Sequence, residues 1–172
     1  KGLLGLYGWG VMYCSKQWIE QLTPTFLARY GVNVEESEHE QVMGEFDYEL
    51  HQSARRFETG NYNYLAAHAV RAGLEQLLEV GTERIEPYVL GLSRRLTEGL
   101  LEKGYRLCSP QDGPALSSVV VFDGGEGGPA VESLSATLKA NAVRHAVRRG
   151  RIRLAFHFYT NEQDVERVLE VL

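Results

Sequence analysis

The sharpest hydrophobic pattern lies near the end of the chain, where Ile152, Leu154, Phe156 and Phe158 alternate with Arg153, Ala155 and His157. A period of two puts the four apolar side chains on one face of a strand and the polar ones on the other. Thr160-Asn161-Glu162-Gln163 follows with the spacing of a capping box, in which the Thr hydroxyl and the Gln amide satisfy backbone N–H groups reciprocally. The helix it opens carries Val165, Val168, Leu169 and Leu172 inward. Upstream, the pattern after residue 62 is helical, with Leu65, Ala69, Leu74, Leu77 and Leu78 on one broad stripe that ends at Gly81. A second helix is predicted from Thr82 as N-cap, with Glu83 in its first turn, Pro87 near its start and Gly104 as its stop. Its apolar positions are Ile85, Val89, Leu92, Leu96 and Leu100. The period then changes to two over 105–108 and 117–122, and the glycines between 124 and 128 read as a turn. A helix over about 130–140 follows, with Val131, Leu134 and Leu138 on one face. Residues 105–172 therefore read as an α+β layer, a small sheet with helices on one face.

The first third is less regular. Gly2, Gly5, Gly8 and Gly10 punctuate a loop that leads into a short apolar strand over 10–14, ended by turn chemistry at Ser15 and Lys16. From about residue 21 to 60, Pro24, Gly31, Gly44 and Gly60 interrupt any period, and Glu35, Glu36, Glu38 and Glu40 cluster in the middle. A stretch this long and irregular is functional or packs against something outside a compact domain, so the chain is expected not to be self-contained.

Composition narrows the function classes. The 172 residues are 44% hydrophobic and 24% charged, as in a folded globular protein rather than a disordered or fibrous one. A formal charge of −5 argues against phosphate-backbone binding as the main activity, so no nucleic-acid partner is expected. Cys14 and Cys108 are far apart and form no CxxC pair, which fits a reducing cytoplasm better than a disulfide framework or a zinc knuckle. No run of about 18 apolar residues and no leader pattern occurs, so no membrane association is expected. His39, His51, His68, His145 and His157 show no metal-ligand spacing, and no metal is expected.

Two glycine motifs carry little. Gly8-Trp9-Gly10 lacks a third glycine and the strand-then-loop order of a dinucleotide site, and the 124–128 run has Glu126 where a phosphate loop needs Lys or Ser/Thr. Three other places can carry chemistry. Lys1 precedes the glycine-rich run through Gly10, where backbone can pass close beneath a bound group, and a partly desolvated lysine becomes a nucleophile toward an aldehyde. Arg55-Arg56-Phe57-Glu58-Thr59-Gly60-Asn61-Tyr62-Asn63-Tyr64 sets guanidinium, hydroxyl and amide donors on a glycine turn before a helix, a candidate anion site. Arg153 stands on the polar face of the best-patterned strand, where its fork could take a carboxylate.

In this order, Lys1 to Tyr13, Arg56 to Tyr64 and Gly150 to Val165 resemble the C-terminal half of class V aminotransferases, the pyridoxal-phosphate enzymes that include cysteine desulfurases, isopenicillin N epimerase-like proteins and kynureninase. The resemblance covers essentially the whole chain. It implies an α/β to α+β fold: residues 1–62 as the end of the fold type I large, cofactor-binding domain, 63–104 as connecting helices and 105–172 as a small C-terminal α+β domain. It implies pyridoxal 5'-phosphate as cofactor, with Lys1 as the Schiff-base lysine that also moves the proton at the substrate's α-carbon. Arg153 falls on the arginine that grips the α-carboxylate. Asn61 falls where the family has a threonine donating to the cofactor phosphate, generally of the neighbouring subunit, and Arg56 and Gly60 match that motif. The family works as a homodimer with the active site at the subunit interface.

Departures refine this. The members that extract sulfur use a cysteine on the loop before the carboxylate-binding strand, and 141–150 contains none. The expected activity is therefore that of an aminotransferase or epimerase-like member acting on an amino acid or amine. The family's aspartate to the pyridine nitrogen and its ring-stacking residue lie upstream of the lysine, so this polypeptide is expected to be roughly the second half of an enzyme and inactive alone. The competing expectation is a truncated or degenerate module that keeps the fold without cofactor chemistry.

Overall fold

The computed structural model describes residues 2–33 and 48–172; Lys1 and the acidic cluster between 35 and 40 lie outside the described residues. The run 10–14, expected as a strand, has no regular structure, and Val11, Met12 and Tyr13 are exposed. Among the described residues no strand pairs with it, so its apolar residues have no sheet to join there. Ser15 instead starts a one-and-a-half-turn helix, α1 (Lys16–Gln21), which buries Ile19. The strands β1 (Val32–Asn33) and β2 (Glu49–Leu50) pair antiparallel, Val32 opposite Leu50.

Helix α2 (Tyr64–Val80) forms where helical periodicity was expected, but its buried stripe is Ala66, Val70 and Gly73, while Leu65 and Leu78 are exposed. The reason is close backbone approach. A Cβ at Gly73 would stand 2.5 Å from the Leu3 carbonyl oxygen, and one at Gly5 would collide with Val70. The face that packs is centred on small residues, and Ala69, Leu74 and Leu77 of the expected stripe are half-buried beside it. The chain divides into two compact units, residues 3–75 and residues 76–172 with Gly2.

The second unit has the small sheet with helices on one face expected of 105–172, but it begins at residue 76 and takes in α3, which was expected only as a connecting helix. Helix α3 (Thr82–Glu102) starts from Gly81 at its N-cap, so Thr82 is its first residue rather than its cap. It ends at Lys103 with Gly104 at φ +82°, the left-handed turn that glycine supplies at a helix end. Strands β3 (Arg106–Leu107), β4 (Val119–Asp123), β5 (Ala146–Arg148) and β6 (Arg151–Ala155) form one antiparallel sheet in the order β3-β4-β6-β5. Helix α4 (Val131–Ala140) and helix α5 (Glu162–Val171) join α3 on one face. Leu92, Leu96 and Leu100 of α3, Leu134 and Leu138 of α4, and Val165 and Val168 of α5 close over Val120, Phe122, Ile152 and Leu154. Each such side chain contributes about 1.5–3 kcal/mol of burial.

Two local expectations shift. The strand expected to run to Phe158 leaves the sheet after Ala155, and Phe156 to Thr160 turn toward α5. The capping box sits one residue later than its expected start at Thr160: Asn161 Oδ1 accepts from the Asp164 N–H at 3.0 Å and Asp164 Oδ2 accepts from the Asn161 N–H at 2.9 Å. Thr160 Oγ1 instead accepts from the His157 N–H at 3.1 Å.

Candidate functional site

In the first unit the sequence motif around residue 56 forms a short 3₁₀ turn, Ala54–Phe57, begun by Ser53, whose hydroxyl accepts from the Arg55 N–H. Arg56 is buried, and its guanidinium donates to the His51 carbonyl at 2.9 Å and to the Ile19 carbonyl. Those bonds commit Arg56 to holding α1 and the 48–52 segment on this loop. The loop then passes through Gly60 at φ +79° and Asn61 at φ +52°. A Cβ at Gly60 would collide with the Tyr30 ring, so glycine is required by space as well as by dihedral. Asparagine tolerates the left-handed region whereas a β-branched threonine there is a genuine outlier, which gives a backbone reason for the amide at 61.

Residues 8–10 and 58–63 line a groove of about 220 Å³. Asn63 Oδ1 accepts from the Ala66 N–H at 3.1 Å and so caps α2, leaving its Nδ2 toward Gly8. Trp9, Tyr30 and Tyr64 surround Tyr62 at centroid distances of 5.8, 5.2 and 6.3 Å. Burial, followed by the Glu58 carboxylate, pushes the Tyr62 hydroxyl up. The groove thus offers an anion the amides of Asn61 and Asn63, the Thr59 hydroxyl and the positive end of a 17-residue helix. Glu58 is the opposing charge on its rim.

In the second unit the face of the sheet opposite the helices is open. Burial alternates along β6, with Ile152 at 0% and Leu154 at 6% exposure turned inward and Arg151, Arg153 and Ala155 outward. Arg153 sits opposite Val121 on one side and Ala146 on the other. Its guanidinium makes no ion pair or hydrogen bond among the described residues. At the other edge of this face, Arg106 donates to both carboxylate oxygens of Asp123 at 2.9 and 2.6 Å. Those bonds hold the Asp123 carboxyl at about 2. Cys108 donates its thiol to the same carboxylate at 3.5 Å, and desolvation followed by that bond pushes the thiol up.

His157 is a residue the alternation placed on the polar face without a role. The Gly2 carbonyl can only accept, so the 3.1 Å contact makes Nε2 the donor. Nδ1 is buried with no partner among the described residues, and the ring stacks on Tyr159 at 4.7 Å. Together with Phe156, Ile85 and Val89 it lines a cleft of about 680 Å³ within the second unit.

A family profile described as Aminotransferase class-V matches residues 1–168. The chain belongs to the aminotransferase class-V family. Among curated relatives of this family it is 28% identical over 170 residues to an uncharacterized aminotransferase of Bacillus subtilis, covering 99% of this chain and 42% of that protein. It is 26% identical over 185 residues to a probable cysteine desulfurase of Pyrococcus abyssi, covering 100% of this chain and 44% of that one. In structure it resembles the apo cysteine desulfurase of Thermococcus onnurineus, with a TM-score of 0.78 at 24% identity, covering 99% of this chain and 44% of that chain. It also resembles the cysteine desulfurase CsdA of Escherichia coli, with a TM-score of 0.76 at 20% identity, covering 98% of this chain and 42% of that chain. These likenesses show an α/β fold. The chain spans less than half the length of these relatives.

The cofactor indicated for this class V chain is pyridoxal phosphate. The donors of the 58–63 groove fit its phosphate end, and the open face around Arg153 fits a carboxylate. Lys1, the expected Schiff-base residue, lies outside the described residues.

Proposed function

We propose that this chain is the part of a pyridoxal-phosphate enzyme that supplies the cofactor lysine and the carboxylate-binding arginine for a reaction at the α-carbon of an amino acid. The observation that carries this reading is Arg153: a planar fork, exposed and without an ion pair among the described residues, on a strand whose facing is locked by Ile152 and Leu154. A rigid strand bearing a free guanidinium is suited to bidentate carboxylate recognition. Bound pyridoxal phosphate supplies the electron sink for charge developing at the α-carbon. Lys1 would hold the cofactor through its amine and would move the proton at the substrate's α-carbon. Asn61, with Asn63 and Thr59, donates to the cofactor phosphate, while Arg56 and Gly60 fix the loop that presents them. The protein works as a homodimer with Asn61 serving the partner's cofactor; exposed Tyr7, Tyr13 and Phe26 in the first unit support such an interface. Residues 63–104 serve as connecting helices and 105–172 as the small domain, and the unpaired Cys14 and Cys108 support a cytoplasmic location.

Within the family we place the reaction with aminotransferases or epimerase-like members rather than with desulfurases. A sulfur-accepting cysteine needs thiolate character. The 141–150 segment has no cysteine, and Cys108, on the same sheet face as Arg153, has its thiol pushed the other way. The test is Arg153→Lys in the cofactor-loaded protein. Weaker amino-acid binding by about 1.5–3 kcal/mol with cofactor retained is expected, as for loss of a charged bidentate bond. Cofactor loss with unchanged substrate affinity would contradict the assignment.

A further inference from the structure

The open face of the sheet carries more positive charge than its own carboxylate neutralises. Side chains two apart on a strand share a face, so Arg151 projects beside Arg153 from β6. The register sets Arg148 of β5 directly opposite Arg151, and like charges directly opposed in a ladder are destabilising. The register is fixed by a two-residue turn, Arg149 at φ +50° and Gly150 at φ +68°, with both central residues left-handed as a type I′ hairpin requires. The inward packing of Ile152 and Leu154 prevents a slip that would separate the two arginines, because a one-residue slip would bring both apolar side chains out to solvent. Asp123 compensates this patch only in part: its two oxygens receive Arg106 at 2.9 and 2.6 Å, and Arg151 makes a longer ion pair, 3.8 Å, to one of them. Arg148 makes no ion pair among the described residues. Arg148, Arg151 and Arg153 thus stand on one face of the sheet, Arg151 and Arg153 one strand-repeat apart on β6, about 6.5–7 Å along the strand, and Arg148 directly across the ladder from Arg151.

We propose that Arg148 and Arg151 form a second anion subsite beside Arg153, and that the substrate is an amino acid with a second acidic group, a dicarboxylic amino acid of four or five carbons. The proposal rests on the reading of Arg153 as the α-carboxylate fork. An incoming dianion places one carboxylate on Arg153 and the other between Arg148 and Arg151, converting an intrinsic like-charge repulsion into two charge-assisted contacts. A monocarboxylic substrate leaves that repulsion in place.

Calorimetric titration of the cofactor-loaded protein with glutarate and with butyrate, unreactive acids that differ in one carboxylate, tests this directly. Glutarate is expected to bind about tenfold more tightly or better, the scale of one added charged contact. In the Arg148→Gln/Arg151→Gln double variant that ratio is expected to fall to about one or two. Thermal melting of Arg148→Gln is the control for folding: relief of the opposed charges should leave it melting no lower than the unchanged protein. Equal affinities for the two acids in the unchanged protein overturn the proposal, as does a glutarate preference that survives in the double variant. If Arg153→Lys weakens butyrate while the double variant keeps the preference, the second subsite alone fails. If Arg153→Lys moves neither acid, the carboxylate reading fails and takes the second subsite with it.

Discussion

Replacing Asp123 with asparagine probes the charge arrangement that organises the sheet's open face. The Asp123 side chain is 8% exposed and accepts two bonds from Arg106 and one from the Gly125 N–H at 3.0 Å. With the Arg106 bonds as the largest cause, its carboxyl lies at about 2 instead of the ordinary 3.8. At about 1.4 kcal/mol per pH unit, a depression of that size corresponds to at most about 2.5 kcal/mol of folded-state stability. Arg106 is 62% exposed, so water screens the pair from one side, and roughly 1–1.5 kcal/mol is the expected loss in Asp123→Asn at neutral pH. The folded-state value lies below the unfolded one, so the contribution is complete above about pH 4 and is lost as pH falls toward 2. Urea unfolding of both proteins, followed by near-ultraviolet circular dichroism across that range, reads the difference. The stability gap should be widest at neutral pH and nearly closed at about pH 2. A gap that stays constant over the whole range would refute the ion-pair reasoning.

Two further outcomes concern the scaffold. Arg149→Asn should stabilise the chain by about 0.5–1 kcal/mol in chemical denaturation, because Arg149 at φ +50° occupies a turn position that asparagine adopts with less strain; a loss of stability would show that the Arg149 side chain makes a contact that matters more. Thr97→Val should raise stability by about 1 kcal/mol, since the Thr97 hydroxyl is buried with no partner among the described residues and valine keeps its shape. A marked destabilisation would mean that the hydroxyl is bonded in solution.

The second unit was largely legible in the sequence because period and burial agree there. Ile152 and Leu154 alternate with Arg151 and Arg153, and one face of that strand meets three helices. The first unit was less so, for physical reasons. α2 packs through Ala66, Val70 and Gly73, with Gly73 lying against the Leu3 carbonyl, and a scale that rewards leucine draws the stripe off-centre, toward the exposed Leu65 and Leu78. The apolar run at 10–14 has strand composition but no strand to pair with among the described residues. At the site, the motif around Gly60 and Asn61 was visible as a string of donors, yet the sequence did not show that Arg56 is tied to backbone carbonyls or that Asn63 caps α2. His157 carried no signal of its own, because its Nε2 contact to the Gly2 carbonyl joins residues 155 positions apart in the chain. The opposition of Arg148 and Arg151 depends on a two-residue turn, and in sequence the four nearby arginines read only as a basic run.

Borohydride reduction of the cofactor-loaded protein, followed by peptide mass spectrometry, shows whether Lys1 carries the cofactor. Reduction makes the lysine–cofactor bond permanent, so the peptide that holds the cofactor mass names the residue. The expected result is a single adduct on the peptide containing Lys1, absent in Lys1→Ala. An adduct on Lys16, Lys103 or Lys139 with Lys1 unmodified, or no adduct on any lysine, would contradict it.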